Sequence, residues 1–324
     1  MKKIYYFIPN MSSPSGGMGV LMKQAKILHD NNYDVSFLYY NTNGIEFNPT
    51  WMDFDINGIK KIDIKNILTD IDFKSDDLLV IPEGFGELIK ETKDLLCKRI
   101  VLAQSWIYIL NSMQEPFNWS TYGIRDVISI SDGITEYIYD IMDKLGVHQY
   151  KQSINHNIFK PSDNKEMLIS FSANRGSENK DKTISAINIF RRLSKYSNRV
   201  NFVELKGYSR EEFAKILGKS SICLYTDEIA GFGTLPLEAM ACNTHVVGFW
   251  NMGNSEYITD DNGFWIDNGD YIELGKELAR VVDMLFENKL PSKLLFNEKQ
   301  TSLKYNQRNE TTEVLKIFKK ILNE

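Results

Sequence analysis

Short apolar runs alternate with stretches of helical periodicity along the first half of the chain. The apolar runs predict buried strands at Ile4–Ile8, Val35–Tyr40, Leu78–Ile81, Ile100–Ala103 and Val127–Ser131. Segments with an apolar residue at every third or fourth position predict helices at Val20–Asn31, Glu87–Cys97 and Gly133–Leu145. Strands that alternate with helices in this way predict a parallel, doubly wound sheet of the α/β class.

The same alternation begins again after a polar, proline-bearing segment at 155–164, which is typical of a linker. The strands predicted in this second half are Met167–Ser172, Val200–Leu205, Ile222–Tyr225 and His245–Phe249. The predicted helices are Thr183–Tyr196, Arg210–Leu217, Leu235–Ala241, Tyr271–Phe286 and a last amphipathic helix around Val314–Leu322. We therefore expect a first domain at 1–160, a second at 161–300 and a helical tail at 301–324. Two Rossmann-like domains would hold a ligand in the cleft between them.

Composition narrows the class of protein. The chain has 324 residues, of which 43% are hydrophobic and 25% charged, as in soluble globular proteins. A net charge of −5 argues against stable nucleic-acid binding. The sparse cysteines Cys97, Cys223 and Cys242 are expected to be reduced core residues of a cytoplasmic protein. Because no apolar stretch approaches about 20 residues, any membrane contact is expected to be peripheral.

The segment 230–241 is the most informative part of the chain. A buried strand, a turn with Gly231 and Gly233, and a helix follow one another there. This arrangement points free backbone N–H groups at an anion, and Pro236 fits in the first helical turn because its missing N–H costs nothing there. Glu238 lies about one turn into the helix, within reach of a ligand hydroxyl. The segment indicates either a nucleotide-sugar site or an ordinary turn with a solvated glutamate.

Two further elements could bind phosphate. Gly16 and Gly17 follow the first strand and precede a helix, where a doubly wound fold binds its ligand. Their spacing is not that of the dinucleotide fingerprint. In the second half, Arg175 and Lys180 flank a short loop before a helix and could clamp a diphosphate. The alternatives are a flexible turn and a solvated basic loop.

Together these segments resemble the nucleotide-sugar glycosyltransferases of the GT-B fold, and most closely the retaining group called family 4. The resemblance rests mainly on Gly231-Phe232-Gly233-Thr234-x-x-Leu237-Glu238-Ala239-Met240-Ala241-Cys242-Asn243-Thr244-x-Val246-Val247. Supporting matches, in the expected order, are Val80-Ile81-Pro82-Glu83, Ser129-Ile130-Ser131-Asp132, Phe159-Lys160-Pro161, Glu256 and Asn262-Gly263. The resemblance implies two Rossmann-like domains facing a cleft and a C-terminal helix that returns to the first domain.

The resemblance also implies roles for the candidate residues. Arg175 and Lys180 would hold the donor diphosphate, and Glu238 would bind the ribose of the nucleotide. The N–H groups around Gly233, Thr234 and Leu235 would contact phosphate or sugar, while Gly16 and Gly17 would close on the diphosphate from the other domain. With cations and helix N-termini to neutralise the leaving group, such enzymes use no metal ion and no further cofactor.

Two positions depart from the family pattern. The family carries a glutamate on the sugar side where this chain has Ala230, and Glu228 or Asp227 could substitute only after a shift of the loop. The family also tends to carry a histidine facing the donor sugar where this chain has Gln104. Glutamine can donate a hydrogen bond to the sugar but cannot shuttle a proton. These departures leave open a catalytically silent subunit that binds a nucleotide sugar and partners an active enzyme.

The expected activity is sugar transfer from a UDP- or GDP-sugar to a hydroxyl acceptor, with retention at the anomeric carbon implied by the family. Candidate acceptors are a glycan, a lipid-linked saccharide, a protein and a modified base of phage DNA. An aromatic stretch in the first half would either stack on the acceptor or pack in the core: Trp106, Tyr108, Phe117, Trp119 and Tyr122. Other enzymes with two Rossmann-like domains, an epimerase or a phosphorylase, are alternatives.

Overall fold

The computed structural model describes residues 2–9, 15–41, 47, 49, 52–173 and 176–323. The chain divides into two compact units. Unit 1 comprises Met1–Gln152 and Arg308–Glu324, and unit 2 comprises Ser153–Gln307. The chain therefore passes from unit 1 to unit 2 after Gln152 and returns after Gln307, whereas the sequence predicts boundaries after residues 160 and 300.

Within its described residues, unit 1 contains a seven-stranded sheet in which all neighbouring strands are parallel. Its strands are β1 (Lys3–Phe7), β2 (Asp34–Tyr39), β3 (Lys60–Asp63), β4 (Leu78–Pro82), β5 (Lys98–Ala103), β6 (Asp126–Ser129) and β7 (Gly146–Gln149). The order across the sheet is β3-β2-β1-β4-β5-β6-β7. The chain winds away from β1 in both directions, so the crevice at the carboxyl ends of β1 and β4 is the place where such a sheet binds ligands.

The helices of unit 1 cross between these parallel strands. They are α1 (Gly16–Asp30), α2 (Ile67–Asp70), α3 (Gly86–Glu91), α4 (Trp106–Asn111) and α5 (Asp132–Ile141). α1 is the crossover from β1 to β2 and buries Leu21, Ala25 and Leu28, which recur with helical spacing.

Unit 2 contains, within its described residues, a five-stranded parallel sheet in the order β12-β11-β10-β8-β9. Its strands are β8 (Glu166–Ser172), β9 (Asn201–Glu204), β10 (Ser220–Tyr225), β11 (His245–Trp250) and β12 (Phe264–Asp267). Its helices are α6 (Gly176–Leu193), α7 (Arg210–Lys219), α8 (Thr234–Ala241), α9 (Tyr271–Phe286) and α10 (Leu294–Lys304). Phe190, Phe249 and Leu278 lie in the core that α6 and α9 form with the sheet. The winding changes direction between β8 and β10, whose carboxyl ends mark the expected crevice of this unit.

The last helix, α11 (Gln307–Asn323), belongs almost entirely to unit 1. The ring of its Phe318 stacks on Tyr6 of β1, with 6.4 Å between the ring centroids. Its buried Glu310 pairs with Lys23 of α1 at 2.8 Å. The α/β fold class with two doubly wound parallel sheets is confirmed.

Several predicted elements differ from the observed ones at their ends. α1 and α6 begin earlier than predicted, so Gly16, Gly17 and Lys180 lie in helices rather than in the turns before them. The predicted helix at Glu87–Cys97 ends at Glu91 and continues only as a single 3-10 turn. The side chain of Arg99 explains that end, because it donates to the carbonyl oxygens of Ile89 (2.9 Å) and Lys93 (3.2 Å).

Candidate functional site

The turn before α8 supports the phosphate-binding geometry that the sequence predicts. Gly233 is the N-cap of α8 and has a positive φ of 72°, which glycine adopts without strain. A Cβ at Gly233 would lie 2.7 Å from the Tyr225 hydroxyl, so a larger residue would also clash. No side chain caps this end of α8 within the described residues, and no acidic side chain lies in its first turn. The first-turn N–H groups, including those of Thr234 and Leu235, are therefore available to an anion.

Residues after β11 support this turn, and the sequence analysis missed them. The hydroxyl of Tyr257 donates to the carbonyl oxygen of Gly233. The side chain of Asn251 donates to the carbonyl oxygen of Asp227 at 2.7 Å, and its Oδ1 accepts from the N–H of Gly253 at 2.9 Å. Asn251 is buried. Sequence alone gives no signal for these contacts, because they join loops that follow different strands.

Glu238 is almost completely buried, with 2% of its side chain exposed, and its carboxylate pairs with Arg210 at the start of α7. The Arg210 guanidinium also lies over the ring of Phe159, 4.6 Å from the ring centroid. The interpretation of Glu238 as a solvated surface residue is therefore wrong. Its predicted role at a ribose stays a prediction, and that role would have to use the carboxylate while Arg210 holds it.

The structure describes only one of the two cations predicted to clamp a diphosphate. Arg175 lies outside the described residues. Lys180 lies in the second turn of α6, and its Nζ donates to Glu204 at the end of β9 at 2.8 Å. The Lys180 side chain is 46% exposed, so a phosphate could compete with Glu204 for its ammonium group.

A buried hydrogen-bond network joins the ends of β8 and β10 to α6 and α9. The side-chain amide of Asn179 donates to the carbonyl oxygen of Thr226 and to the Tyr271 hydroxyl, both at 2.9 Å. Tyr271 in turn donates to the carboxylate of Glu228 at 2.8 Å. Burial and the neighbouring Glu228 carboxylate both raise the pKa of Tyr271. The Tyr271 hydroxyl, at the start of α9, holds the Glu228 carboxylate. This hydrogen bond would have to break before Glu228 could take the role of the family glutamate that is replaced by Ala230.

Ala230 itself is 4% exposed. A Cβ at Gly253 would lie 2.2 Å from the Ala230 carbonyl oxygen, so these two backbone segments pack directly against each other.

In unit 1, Gly16 and Gly17 follow β1 and Gln104 follows β5, and these two strands flank β4 in the sheet. α1 begins at Gly16, and its N-cap Ser15 makes no side-chain cap to the first turn. A Cβ at Gly17 would lie 3.4 Å from Oε1 of Gln104, so the glutamine amide is in contact with the N-terminus of α1. Gln104 is 9% exposed, and its Oε1 has no hydrogen-bond partner among the described residues.

Glu83 lies directly after β4 and is 3% exposed, and it has no role in the sequence analysis beyond a supporting motif. Desolvation raises the pKa of Glu83 to about 7, although the nearby backbone N–H groups of Glu83, Gln104 and Ser105 act to lower it. The sequence gives one signal for Glu83, which is a charged residue directly after a fully apolar strand. A charged residue at such a position is rarely buried without a partner.

The aromatic stretch divides between the core and the surface. Trp119 is fully buried, as the core interpretation predicts, whereas Tyr108 and Phe117 are exposed. The cysteines Cys97, Cys223 and Cys242 are free and buried. In the described ranges, we find no group of three or more His, Cys, Asp or Glu side chains that could hold a metal ion. None of the helices in the same ranges is both long and apolar enough to span a bilayer.

Comparison with known proteins agrees with this geometry. Residues 188–309 match the model of the family described as glycosyl transferases group 1. An alpha-1,6-glucosyltransferase of Actinobacillus pleuropneumoniae serotype 7 (strain AP76) is 26% identical over 283 residues, which cover 83% of this chain and 82% of that protein.

Solved structures share the fold over the whole chain. A sucrose-phosphate synthase from Thermosynechococcus elongatus superposes with a TM-score of 0.73 at 13% identity, with both chains covered completely. HepE of Anabaena, solved in complex with UDP, gives a TM-score of 0.71 at 13% identity, again with complete coverage of both chains. A pneumococcal O-GlcNAc transferase, GtfA, solved with UDP and GlcNAc, gives 0.69 at 12% identity and covers 99% of this chain and 98% of that one. The GT-B fold and the resemblance to GT-B glycosyltransferases are confirmed, and the matches support a glycosyltransferase. Membership of family 4 stays a prediction.

Proposed function

We propose that this chain is a glycosyltransferase that moves a sugar from a UDP- or GDP-sugar to a hydroxyl acceptor. The observation that carries the proposal is the turn at Gly233. Its positive φ opens the N-terminus of α8 at the crevice of unit 2, and Glu238 follows one turn later. This turn lies within residues 188–309, which match the glycosyltransferase family.

Each candidate residue has a proposed role at the donor. The N–H groups of Thr234 and Leu235 contact phosphate, where the helix dipole favours negative charge. Arg175 and Lys180 bind the diphosphate, and Lys180 exchanges its contact with Glu204 for one with the donor. Glu238 accepts hydrogen bonds from the ribose hydroxyls while Arg210 holds the carboxylate in place.

The proposed reaction proceeds through an oxocarbenium-like transition state with retention. The bond between the anomeric carbon and the diphosphate breaks, the acceptor oxygen bonds to that carbon from the same face, and the hydroxyl proton passes to the departing diphosphate. The cations and the N-terminus of α8 stabilise the leaving group, so we propose that no metal ion takes part.

The comparisons support a first choice of donor. Two structural neighbours were solved with UDP, and the sequence relative is named a glucosyltransferase. UDP-glucose is therefore the first donor to test, with a glycan as the first acceptor class.

The test is product analysis. The intact chain is incubated with UDP-glucose or GDP-glucose and a panel of glycan acceptors, with EDTA present, and the products are analysed by mass spectrometry and NMR. We expect an acceptor that gains one hexose, in the α configuration that the donor carries. Absence of both transfer and donor hydrolysis with every sugar nucleotide would contradict the proposal.

One observation favours the alternative of a silent binding subunit. The position at which the resemblance implies a sugar-binding glutamate is Ala230, which is buried. A chain that binds UDP-glucose but gives neither transfer nor hydrolysis, and that restores transfer when mixed with a second glycosyltransferase, would support this alternative.

A further inference from the structure

The helix α10 of unit 2 is amphipathic in the reverse of the usual sense. Its buried side carries polar residues, among them Glu298, which is fully buried, and Ser302, which is 1% exposed. Its solvent side carries Phe296, which is 62% exposed, and Leu303, which is 45% exposed. A surface helix normally turns its apolar residues to the core and its polar residues to water. The core of unit 2 therefore does not account for the apolar side of α10.

Hydrogen bonds fix the rotation of α10 about its own axis. The Glu298 carboxylate lies 2.9 Å from Nδ1 of His245 in β11. About one turn further along, the Thr301 hydroxyl accepts from the side-chain amide of Asn262 at 3.0 Å. A rotation that buried Phe296 would break both contacts and leave buried polar groups without partners, which is costly. The apolar side of α10 consequently faces solvent in the folded chain.

Four exposed residues form one stripe, which we call the outer face of α10: Leu295, Phe296, Lys299 and Leu303. Their separations are three, four, seven and eight residues, which places them on one side of an α-helix. Asn297 lies on the opposite flank from Leu295, and its side chain donates to the carbonyl oxygen of Asp261 at 3.2 Å. The acidic loop that contains Asp261 therefore contacts that flank and not the outer face.

The charge that α10 presents to solvent has one sign. The helix and its N-cap carry three exposed lysines, Lys293, Lys299 and Lys304. The acidic residue in the sequence of α10 is Glu298, and it is buried beside His245. The helix is thus basic on its solvent side, although the chain as a whole has a net charge of −5.

An apolar stripe flanked by lysines is complementary to the surface of an anionic bilayer. Phenylalanine and leucine side chains enter the boundary between headgroups and acyl chains, while lysines are attracted to the negative surface potential. The apolar stems of the lysines let their ammonium groups stay among the headgroups. A second copy of the chain fits less well, because docking by the same face would bring the lysines of two helices together.

We propose that α10 is a peripheral membrane-binding helix that docks its outer face on a bilayer containing anionic phospholipids. The inference goes beyond the proposed function and does not depend on it, because the contact involves neither nucleotide nor sugar. Since α10 and the Gly233 turn belong to the same unit, the contact would tether the unit that contains the proposed donor site.

The test is co-sedimentation of the intact chain with lipid vesicles. One set of vesicles is phosphatidylcholine alone, and the other is an equal mixture of phosphatidylcholine and phosphatidylglycerol. We expect the chain to bind the mixed vesicles at least about tenfold more strongly than the neutral ones, because the lysines add an electrostatic attraction. High salt should remove most of this difference by screening the charges.

Substitutions on the outer face should weaken this binding. Phe296→Ser and Leu303→Ser should each lower the partition coefficient by about tenfold, because each removes apolar area from the contact. Lys299→Gln should lower it by about fivefold on mixed vesicles and leave binding to neutral vesicles unchanged. The matched controls lie on α9: Ile272 is 62% exposed, as Phe296 is, and Lys276 is an exposed lysine. Ile272→Ser and Lys276→Gln should bind as the wild type does.

Thermal melts of the outer-face variants should match the wild type, because the substituted side chains are exposed. Absence of vesicle binding, equal binding to neutral and mixed vesicles, or undiminished binding by Phe296→Ser and Lys299→Gln would each overturn the inference. A dimer that Phe296→Ser dissociates in sedimentation velocity, with no vesicle binding, would assign the outer face to a second copy instead. Failure of the proposed function is distinguishable, since it appears as missing product formation, whereas this readout contains no nucleotide.

Discussion

The carboxylate of Glu238, one turn into α8, is paired with the guanidinium of Arg210 at the start of α7. Glu238 is buried, whereas 32% of the Arg210 side chain is exposed. A buried carboxylate paired with an arginine is held in a fixed orientation, which suits the contact with two ribose hydroxyls that we propose for it.

The first prediction concerns this pair. Glu238→Gln is expected to weaken UDP binding by about tenfold or more, because a hydrogen bond to a charged group contributes about 1.5–3 kcal/mol. Arg210→Lys should weaken UDP binding less, because lysine keeps the charge but loses the planar fork. Calorimetric titration with UDP measures both effects. The matched control is the surface pair on α9, Arg280 and Glu277, and Glu277→Gln should leave the affinity unchanged. Equal UDP affinities of Glu238→Gln and the wild type would show that the Glu238–Arg210 pair has only a structural role.

The second prediction concerns Lys180. Lys180→Ala should weaken binding of UDP by about tenfold but leave binding of uridine unchanged, because the ammonium group acts on the diphosphate. Arg175→Ala is expected to show the same selectivity. Lys182→Ala is the control from the same helix, since its ammonium group pairs with Glu178 at 2.7 Å. A loss of uridine affinity equal to the loss of UDP affinity would refute the assignment to the diphosphate.

The third prediction concerns Gly233. Gly233→Ala should lower the free energy of unfolding by about 1–2 kcal/mol through its positive φ, and it should abolish UDP binding because the Cβ meets the Tyr225 hydroxyl. Adding Tyr225→Phe should recover part of the binding by removing that hydroxyl.

Gly207 offers a matched control for this change. Its φ is 78°, but a Cβ there would meet no described atom within 4 Å. Gly207→Ala should therefore lose stability in urea unfolding yet keep its UDP affinity. Full UDP binding by Gly233→Ala would show that the α8 N-terminus does not hold the phosphate.

The fourth prediction concerns stability as a function of pH. The folded-state pKa of Glu83 is about 7, above its usual value, so the folded chain binds more protons than the unfolded chain between these two values. Its contribution to stability is therefore fully present below about pH 4 and is lost as the pH rises through about 7. Glu83→Gln should gain stability relative to wild type between pH 5 and pH 8, by at most ~3 kcal/mol.

Thermal melts of both proteins at the two pH values measure this change. The exposed Glu87→Gln variant should show a constant difference from wild type. A difference between Glu83→Gln and wild type that stays constant, or that shrinks as the pH rises, would contradict the burial argument.

The sequence predicted the interior of both sheets better than their edges. The strands β1, β4, β5, β8, β10 and β11 are flanked on both sides, and their apolar runs made them recognisable. The missed strands β3, β7 and β12 are all edge strands. β7 reads Gly-Val-His-Gln and carries no apolar run, so its pairing with β6 depends on the tertiary context.

The site was predictable where it depends on local sequence. The Gly233 turn and the N-terminus of α8 follow from glycine, proline and a buried strand that are adjacent in the chain. The partners of the site residues were not predictable, because Arg210, Glu204 and Tyr271 reach the site from other elements. The starts of α1 and α6 were placed too late, since glycine and polar residues in a first turn have low helix propensity but are tolerated there.

Binding of nucleotides to the intact chain tests the central claim most directly. UDP, GDP, CMP and ADP are titrated calorimetrically into the wild-type protein and into Glu238→Gln, with EDTA present throughout. The account predicts that UDP or GDP binds selectively to the wild type and at least about tenfold more weakly to Glu238→Gln. A well-folded wild-type chain that binds none of the four, or that binds them all equally whether or not Glu238 is intact, would contradict the claim that this is a nucleotide-sugar site.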